Sequence, residues 1–223
     1  MTENDEYIDL GATTEQGEKI ADTSMEYVRK LVPEETVTDR LRQKAVHATG
    51  DPEFAHLLRT QHDPAIAGGH AILDECMIVT DVTMPYHGIT DRGHNCQKRS
   101  AINYDSSSIE QEEITRTAAS IFAMDRDGLL ENGIIVIGNA PTAAFALADC
   151  IKAGTQPAVI VATPVGFVKA DESRKTVRDV AEKYNIPAVT NVGRRGGSGI
   201  AAALTNEFVH IATDIRNGEV SEE

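Results

Sequence analysis

Four consecutive β-branched residues, Ile134-Ile135-Val136-Ile137, are bounded by Gly133 and Gly138 and followed at once by a helix-forming run. A short run without a polar residue suits a strand buried on both faces of a sheet. Helical signals then begin immediately. Asn139 is a natural cap, Pro141 suits a first turn, and Ala143–Ala148 favours helix. The same step recurs twice downstream. Ala158–Thr163 reads as a strand before a helix over Asp171–Tyr184, and Pro187–Val192 before a helix that Ser198 caps and that runs to about Thr213. Strand alternating with helix demands right-handed crossovers and a parallel sheet with helices on both faces.

The first half supplies the remaining elements. Met77–Thr80 and, more weakly, Cys96–Ile102 read as strands, so the expected sheet is mostly parallel with about five strands. Helices are expected over Ile20–Val32, Val37–Ala48 and Pro64–Glu75, the last weakened by Gly68-Gly69, and these pack onto the sheet domain. Ser107–Met124 is a further helix, capped by serine, with Glu110, Glu112 and Glu113 early, as the helix dipole prefers. No repeat and no long linker divides the chain. It reads as a single α/β domain over residues 18–214, with a loose acidic arm at 1–17 and an acidic tail at 215–223.

Composition excludes several classes of function. With aromatics at 4% and no Trp, Ala, Ile, Val and Leu must fill the core. A formal charge of −14 argues against non-specific nucleic-acid binding, which needs a basic surface. No apolar run of ~18 residues indicates a membrane span. The acidic, polar start, Met-Thr-Glu-Asn-Asp-Glu, does not resemble a signal peptide, and a cytoplasmic protein is expected. Cys76, Cys96 and Cys150 are odd in number and widely spaced, which suits reduced thiols.

Four strand ends meet on one side of a parallel sheet: Asp81-Val82-Thr83-Met84, Gly138–Thr142, Pro164-Val165-Gly166-Phe167 and Gly193-Arg194-Arg195-Gly196-Gly197-Ser198. There, helix N-termini offer backbone N–H groups to a ligand. Gly-x-Gly-x-x-Gly and the P-loop pattern are both absent, which counts against a nucleotide. Gly193–Ser198 suits a phosphate or a carboxylate, and Arg194 and Arg195 suit bidentate carboxylate binding. In so acidic a chain, an anionic ligand needs a local cluster of Arg194, Arg195, Arg116, Lys98 and Arg99. His87, His94 and Cys96 lie close in sequence, as do His56 and His62. No His-x-x-x-His pair accompanies them, and no metal site is expected. His47 has two readings. It is a half-buried residue at a helix C-terminus, or a general acid whose protonated form that terminus favours. No Gly-x-Ser-x-Gly elbow or cysteine nucleophile motif points to covalent catalysis.

Taken together, these loops resemble one family. His47-Ala48-Thr49-Gly50-Asp51, Asp81-Val82-Thr83-Met84, Thr115-Arg116, Ile137–Ala143, Pro164–Val168 with Glu172-Ser173, and Gly193–Ser198 are similar to motifs of the precorrin-8X (cobalt-precorrin-8) methylmutases, in the same order. The resemblance runs from about Ile20 to Asn206. It implies a homodimeric α/β isomerase of cobalamin biosynthesis that uses no redox or nucleotide cofactor. Such an enzyme moves a methyl group from carbon 11 to carbon 12 of a tetrapyrrole, giving hydrogenobyrinic or cobyrinic acid. By motif, His47 matches the histidine that protonates the macrocycle. Ser24, Thr49, Asp81, Met84, Arg116, Asn139, Thr142, Gly166, Arg194, Arg195 and Ser198 are the expected substrate-binding residues, with the turn at Gly138–Thr142 lending N–H groups to the ring. The chain departs from the family pattern at Met84-Pro85-Tyr86-His87-Gly88, at Arg174 and at Asn206-Glu207-Phe208. Two other readings stand beside this one: a tetrapyrrole carrier without turnover, and a nucleotide-dependent Rossmann enzyme.

Overall fold

The computed structural model describes residues 14–109 and 113–220. In chain order the helices are α1 (Glu15–Leu31), α2 (Asp39–Thr49), α3 (Phe54–Leu57), α4 (Pro64–Leu73), α5 (Thr83–Gly88), α6 (Arg116–Arg126), α7 (Pro141–Ala153), α8 (Ala170–Tyr184) and α9 (Ser198–Asn217). The strands are β1 (Leu58–Gln61), β2 (Ile78–Thr80), β3 (Lys98–Ser100), β4 (Ile134–Ile137), β5 (Val159–Ala162) and β6 (Ala188–Asn191). A 3₁₀ turn over Ala101–Asn103 follows β3.

The six strands lie in the order β1-β6-β5-β4-β2-β3. All neighbours are parallel except β1, which runs antiparallel to β6 with Leu58 opposite Asn191. The opening strand lies inside the sheet, Ile134 pairing with Ile78 on one side and Val159 on the other. Its alternation sorts two cores. Ile134 and Val136 pack with Leu41, Phe54, Ile72, Leu204 and Phe208, from α2, α3, α4 and α9. Ile135 and Ile137 pack with Ile121, Met124, Leu147, Ile151 and Val177, from α6, α7 and α8. Helices thus cover both faces. A smaller cluster of Val28, Val32, Val46 and Ala55 seats α1 on α2.

The expected mostly parallel sheet is present, with six strands among the described residues; the one without a sequence signal is β1, whose Leu-Arg-Thr-Gln is too short and polar to show a strand period. Several other expectations are corrected. Gly68-Gly69 does not weaken α4. A Cβ on Gly68 would lie 2.4 Å from the Phe208 ring, so the glycines let α4 and α9 approach closely. The helix expected from Ser107 begins at Arg116, where the Thr115 hydroxyl accepts the Ala118 N–H. Glu113 lies in the turn before it, while Glu110 and Glu112 fall outside the described residues. Gly197, not Ser198, holds the cap position of α9, which continues to Asn217, into the expected tail. Glu15–Gly17, assigned to the arm, form the first turn of α1, while residues 1–13 and 221–223 lie outside the described residues.

Candidate active site

Connections leave β2 toward β3 and leave β4 toward β5, so the direction of winding reverses between β2 and β4. Ligands in such sheets favour the crevice at that reversal. Here the chain fills it. Asp81 directly follows β2 and is fully buried. Its Oδ1 accepts the N–H groups of Val82 (2.9 Å) and Gly138 (3.2 Å), and its Oδ2 those of Asn139 (2.8 Å) and Ala140 (2.7 Å). Burial pushes the Asp81 carboxyl above its ordinary range, outweighing the N–H bonds that favour the carboxylate. Ala140, not Asn139, occupies the cap position of α7, and no side chain caps it from within its own turn. The N–H groups expected to meet a ligand are therefore already engaged. A Cβ on Gly138 would lie 2.7 Å from Ser198 Cα, so this turn also packs against the start of α9.

At the β6 end, Gly50 closes α2 in a left-handed conformation (φ 64°) and donates its N–H to Val46 O. Partly buried His47 sits in that last turn. The Thr49 hydroxyl donates to Ala45 O at 2.8 Å and accepts the Asp51 N–H at 3.2 Å. Arg195 then bonds Asp51 and, at 2.9 Å, Glu53, tying the His47 turn to the loop after β6. From beneath, the fully buried Arg174 donates to Asn191 Oδ1 (3.0 Å) and to the carbonyls of Arg195 (2.7 Å) and Gly193. With Asp171 at 3.5 Å, these acceptors hold a long cation at a position with no solvent, leaving only its Nε without a partner.

Next to this loop, the Gly166 N–H donates to Arg194 O at 3.2 Å, and the Arg194 guanidinium lies 5.1 Å from the centre of the Phe167 ring. Among the described residues no carboxylate pairs with Arg194. Phe167 is 84% exposed and Val168 77%, and Met84 on α5 is 69% exposed. Phe167 and its neighbour Val168, large apolar side chains held in water beside an unpaired cation, suit a flat, conjugated ligand with carboxylate arms. Thr142, at the start of α7, receives a 2.7 Å hydrogen bond from Thr115. Arg116 is exposed and donates to Ile102 O in the 3₁₀ turn.

The family model CbiC, precorrin-8X methylmutase, matches residues 19–211. The chain belongs to the precorrin-8X methylmutase family. It is 36% identical to the cobalt-precorrin-8 methylmutase of Methanocaldococcus jannaschii over 214 residues, covering 91% of this chain and 98% of that one. It is 32% identical to the precorrin-8X methylmutase of Pseudomonas aeruginosa over 171 residues, 75% of this chain and 81% of the other. The solved precorrin-8X methyl mutase of Thermus thermophilus matches with a TM-score of 0.81 at 26% identity, covering 92% of this chain and all 100% of that one. This precorrin-8X methylmutase fold is an α/β isomerase fold with a mostly parallel sheet.

Within this methylmutase-family chain, the expected site residues divide into groups. The His47 and Thr49 turn, Gly166, Arg194 and Arg195 gather at the β6 end. Asp81, Asn139 and Ser198 meet near the middle of the edge. Met84 and Arg116 lie toward β3, and Ser24 sits partly buried on α1, one turn before Val28. The cationic cluster expected from sequence is split. Arg194 and Arg195 follow β6, whereas Lys98, Arg99 and Arg116 lie by β3, four strand spacings or roughly 19 Å away. Sequence reasoning missed Phe167 as the ring beneath Arg194 and Arg174 as the brace of the loop. The signals were present, in a bulky aromatic in a turn and in an arginine departing from the family pattern.

Proposed function

We propose that this chain moves a methyl group from carbon 11 to carbon 12 of precorrin-8X or cobalt-precorrin-8, with His47 giving and retaking the proton, and that it works as a cytoplasmic homodimer. The family supports the isomerisation. The observation that carries the role of His47 is its place in the last turn of α2, which the Arg195–Asp51 pair fastens to the ligand edge of the sheet. Protonating a ring nitrogen makes the conjugated system electron-poor, so the methyl migrates with its bonding electrons to the adjacent carbon. The proton then leaves the ring for His47, and nothing is gained or lost overall. An imidazole, with an ordinary pKa near ~6.5, both gives and accepts a proton at neutral pH. The α2 C-terminus stabilises its charged form between the two transfers. The exposed Phe167, Val168 and Met84 offer apolar surface to the ring, and Arg194 offers a cation to a carboxylate arm.

The test follows the absorption change from substrate to product, with metal-free and cobalt-bound substrate in parallel. Many turnovers per chain are expected, which a carrier would not give. His47→Ala is expected to slow turnover by at least ~10²-fold, the usual range for a lost general acid, while still binding the ring. Near-wild-type turnover in that variant would remove His47 from the mechanism. Sedimentation equilibrium checks the dimer.

A further inference from the structure

Between α5, β3 and the 3₁₀ turn lies a cavity of about 370 Å³. It sits at the β3 end of the ligand edge, at the opposite end of the sheet from the His47 turn. In a chain this acidic, no acidic residue among those described lines the cavity. Its walls include Tyr86, Lys98, Arg99, Ser100, Asn103 and Tyr104.

The two cations differ. Lys98 Nζ donates to Tyr86 O (3.1 Å) and Ile89 O (2.7 Å) and pairs with Asp91 at 2.7 Å. Its three donors are taken, and Asp91 balances its charge. Arg99 differs: among the described residues its guanidinium has no hydrogen-bond or ion-pair partner, and the residue is exposed. Beside it Ser100 is only 8% exposed, and its Oγ is buried without a hydrogen-bond partner. Buried polar atoms without partners are rare in folded proteins, and one next to an unpaired cation points to an acceptor arriving from outside. Lys98, 5.0 Å from the centre of the Tyr86 ring, holds that wall in place.

We propose that this cavity is a carboxylate subsite, with the Arg99 guanidinium as the charge partner and the Ser100 hydroxyl as a second donor. The volume leaves ample room for an acetate or propionate arm and falls short of a whole macrocycle. The carboxylate comes either from an arm of the tetrapyrrole, which rests on the methylmutase reading, or from a small free acid, which does not. Arginine meets both with the same planar fork.

Two measurements on the full chain test this. The first is the KM of substrate turnover for wild type, Arg99→Met and Ser100→Ala. The second is titration with succinate, followed by NMR of 13C-labelled tyrosine rings, since two of the five tyrosines, Tyr86 and Tyr104, border the cavity. If the arm belongs to the ring, Arg99→Met raises KM about tenfold and Ser100→Ala about threefold, as loss of a charged and a neutral hydrogen bond respectively implies. If the acid is free, KM is unchanged, but succinate shifts two tyrosine signals in wild type and not in Arg99→Met. Unchanged KM together with no succinate-dependent shift overturns the subsite. Failure of wild type to turn over any substrate would instead overturn the methylmutase reading, and the succinate titration would still decide the subsite.

Discussion

Replacing Asp81 by Asn changes the shape of that side chain hardly at all, yet the hydrogen-bond geometry makes it one of the most damaging substitutions open to this chain. Each carboxylate oxygen accepts two N–H groups, Val82 and Gly138 at one, Asn139 and Ala140 at the other. An amide has one oxygen. Whichever way Asn is turned, its NH₂ faces two backbone donors, and one of them belongs to buried Gly138 or buried Ala140. Two donors lose their acceptor at ~1–3 kcal/mol each, so Asp81→Asn should destabilise by about 2–6 kcal/mol. Asp81→Ala strips the acceptor from all four, but opens room for water and puts no donor against a donor. Asn is therefore expected to be no better tolerated than Ala, the reverse of the usual ranking of conservative changes. Urea unfolding followed by circular dichroism measures this directly. With a slope of ~2 kcal/mol/M, in the middle of the usual range, the midpoint for Asp81→Asn should fall by roughly 1–3 M. A loss below about 1 kcal/mol would refute the claim that the carboxylate holds the Gly138–Ala140 turn.

Thiol chemistry and acid titration give two further tests. Burial pushes the Cys96 thiol up to about 12 and the Cys150 thiol higher still, whereas Cys76 is only half-buried. A thiol reagent at pH 8 should thus modify Cys76 first and reach the other two only in denaturant; rapid native labelling of all three by mass spectrometry would contradict this packing. The Asp39 carboxyl is subject to burial, which raises it, and to N–H bonds from Thr36 and Glu35 with side-chain bonds from Thr36 and Arg42, which together hold it below its ordinary value. A depressed carboxyl stabilises the fold above its unfolded pKa of ~3.9, and that stability is lost as pH falls through the folded value. The stability difference between wild type and Asp39→Asn should therefore be flat near neutrality and shrink below about pH 4, as urea midpoints across the range will show.

The sheet was legible wherever hydrophobic pattern dictates structure. Ile134–Ile137 announces a doubly buried strand because every position meets a core, and β5 and β6 follow the same rule. Elements built by distant partners left no such trace. β1 is a strand only because β6 lies alongside it, and α5 forms directly after Asp81 through Pro85, which a first turn tolerates. At the site, His47 stood out through its motif and its place at a helix end. The role of Asp81 did not, since a carboxylate engaged by N–H groups 57 residues away looks, in sequence, like one waiting for a ligand. Asn139 was the plausible cap by residue type, but geometry assigned that task to a neighbouring strand. Arg195 looked available for substrate and is occupied by acids from the turn after α2.

The tie between Arg195 and Asp51 spans 144 positions of sequence, and the β1–β6 pairing is almost as long. Both join material from the first third of the chain to its last strand or the loop that follows it. Closing loops of this length is slow and comes only after local structure has formed. During synthesis, the segment bearing His47 emerges early and can pack on α1, but its tie to the ligand edge waits until β6 and its loop have been made. A half-made or C-terminally truncated chain can build α2 and still hold no organised edge beside it. When the Arg195–Asp51 tie forms is thus set by the order in which the polypeptide is completed.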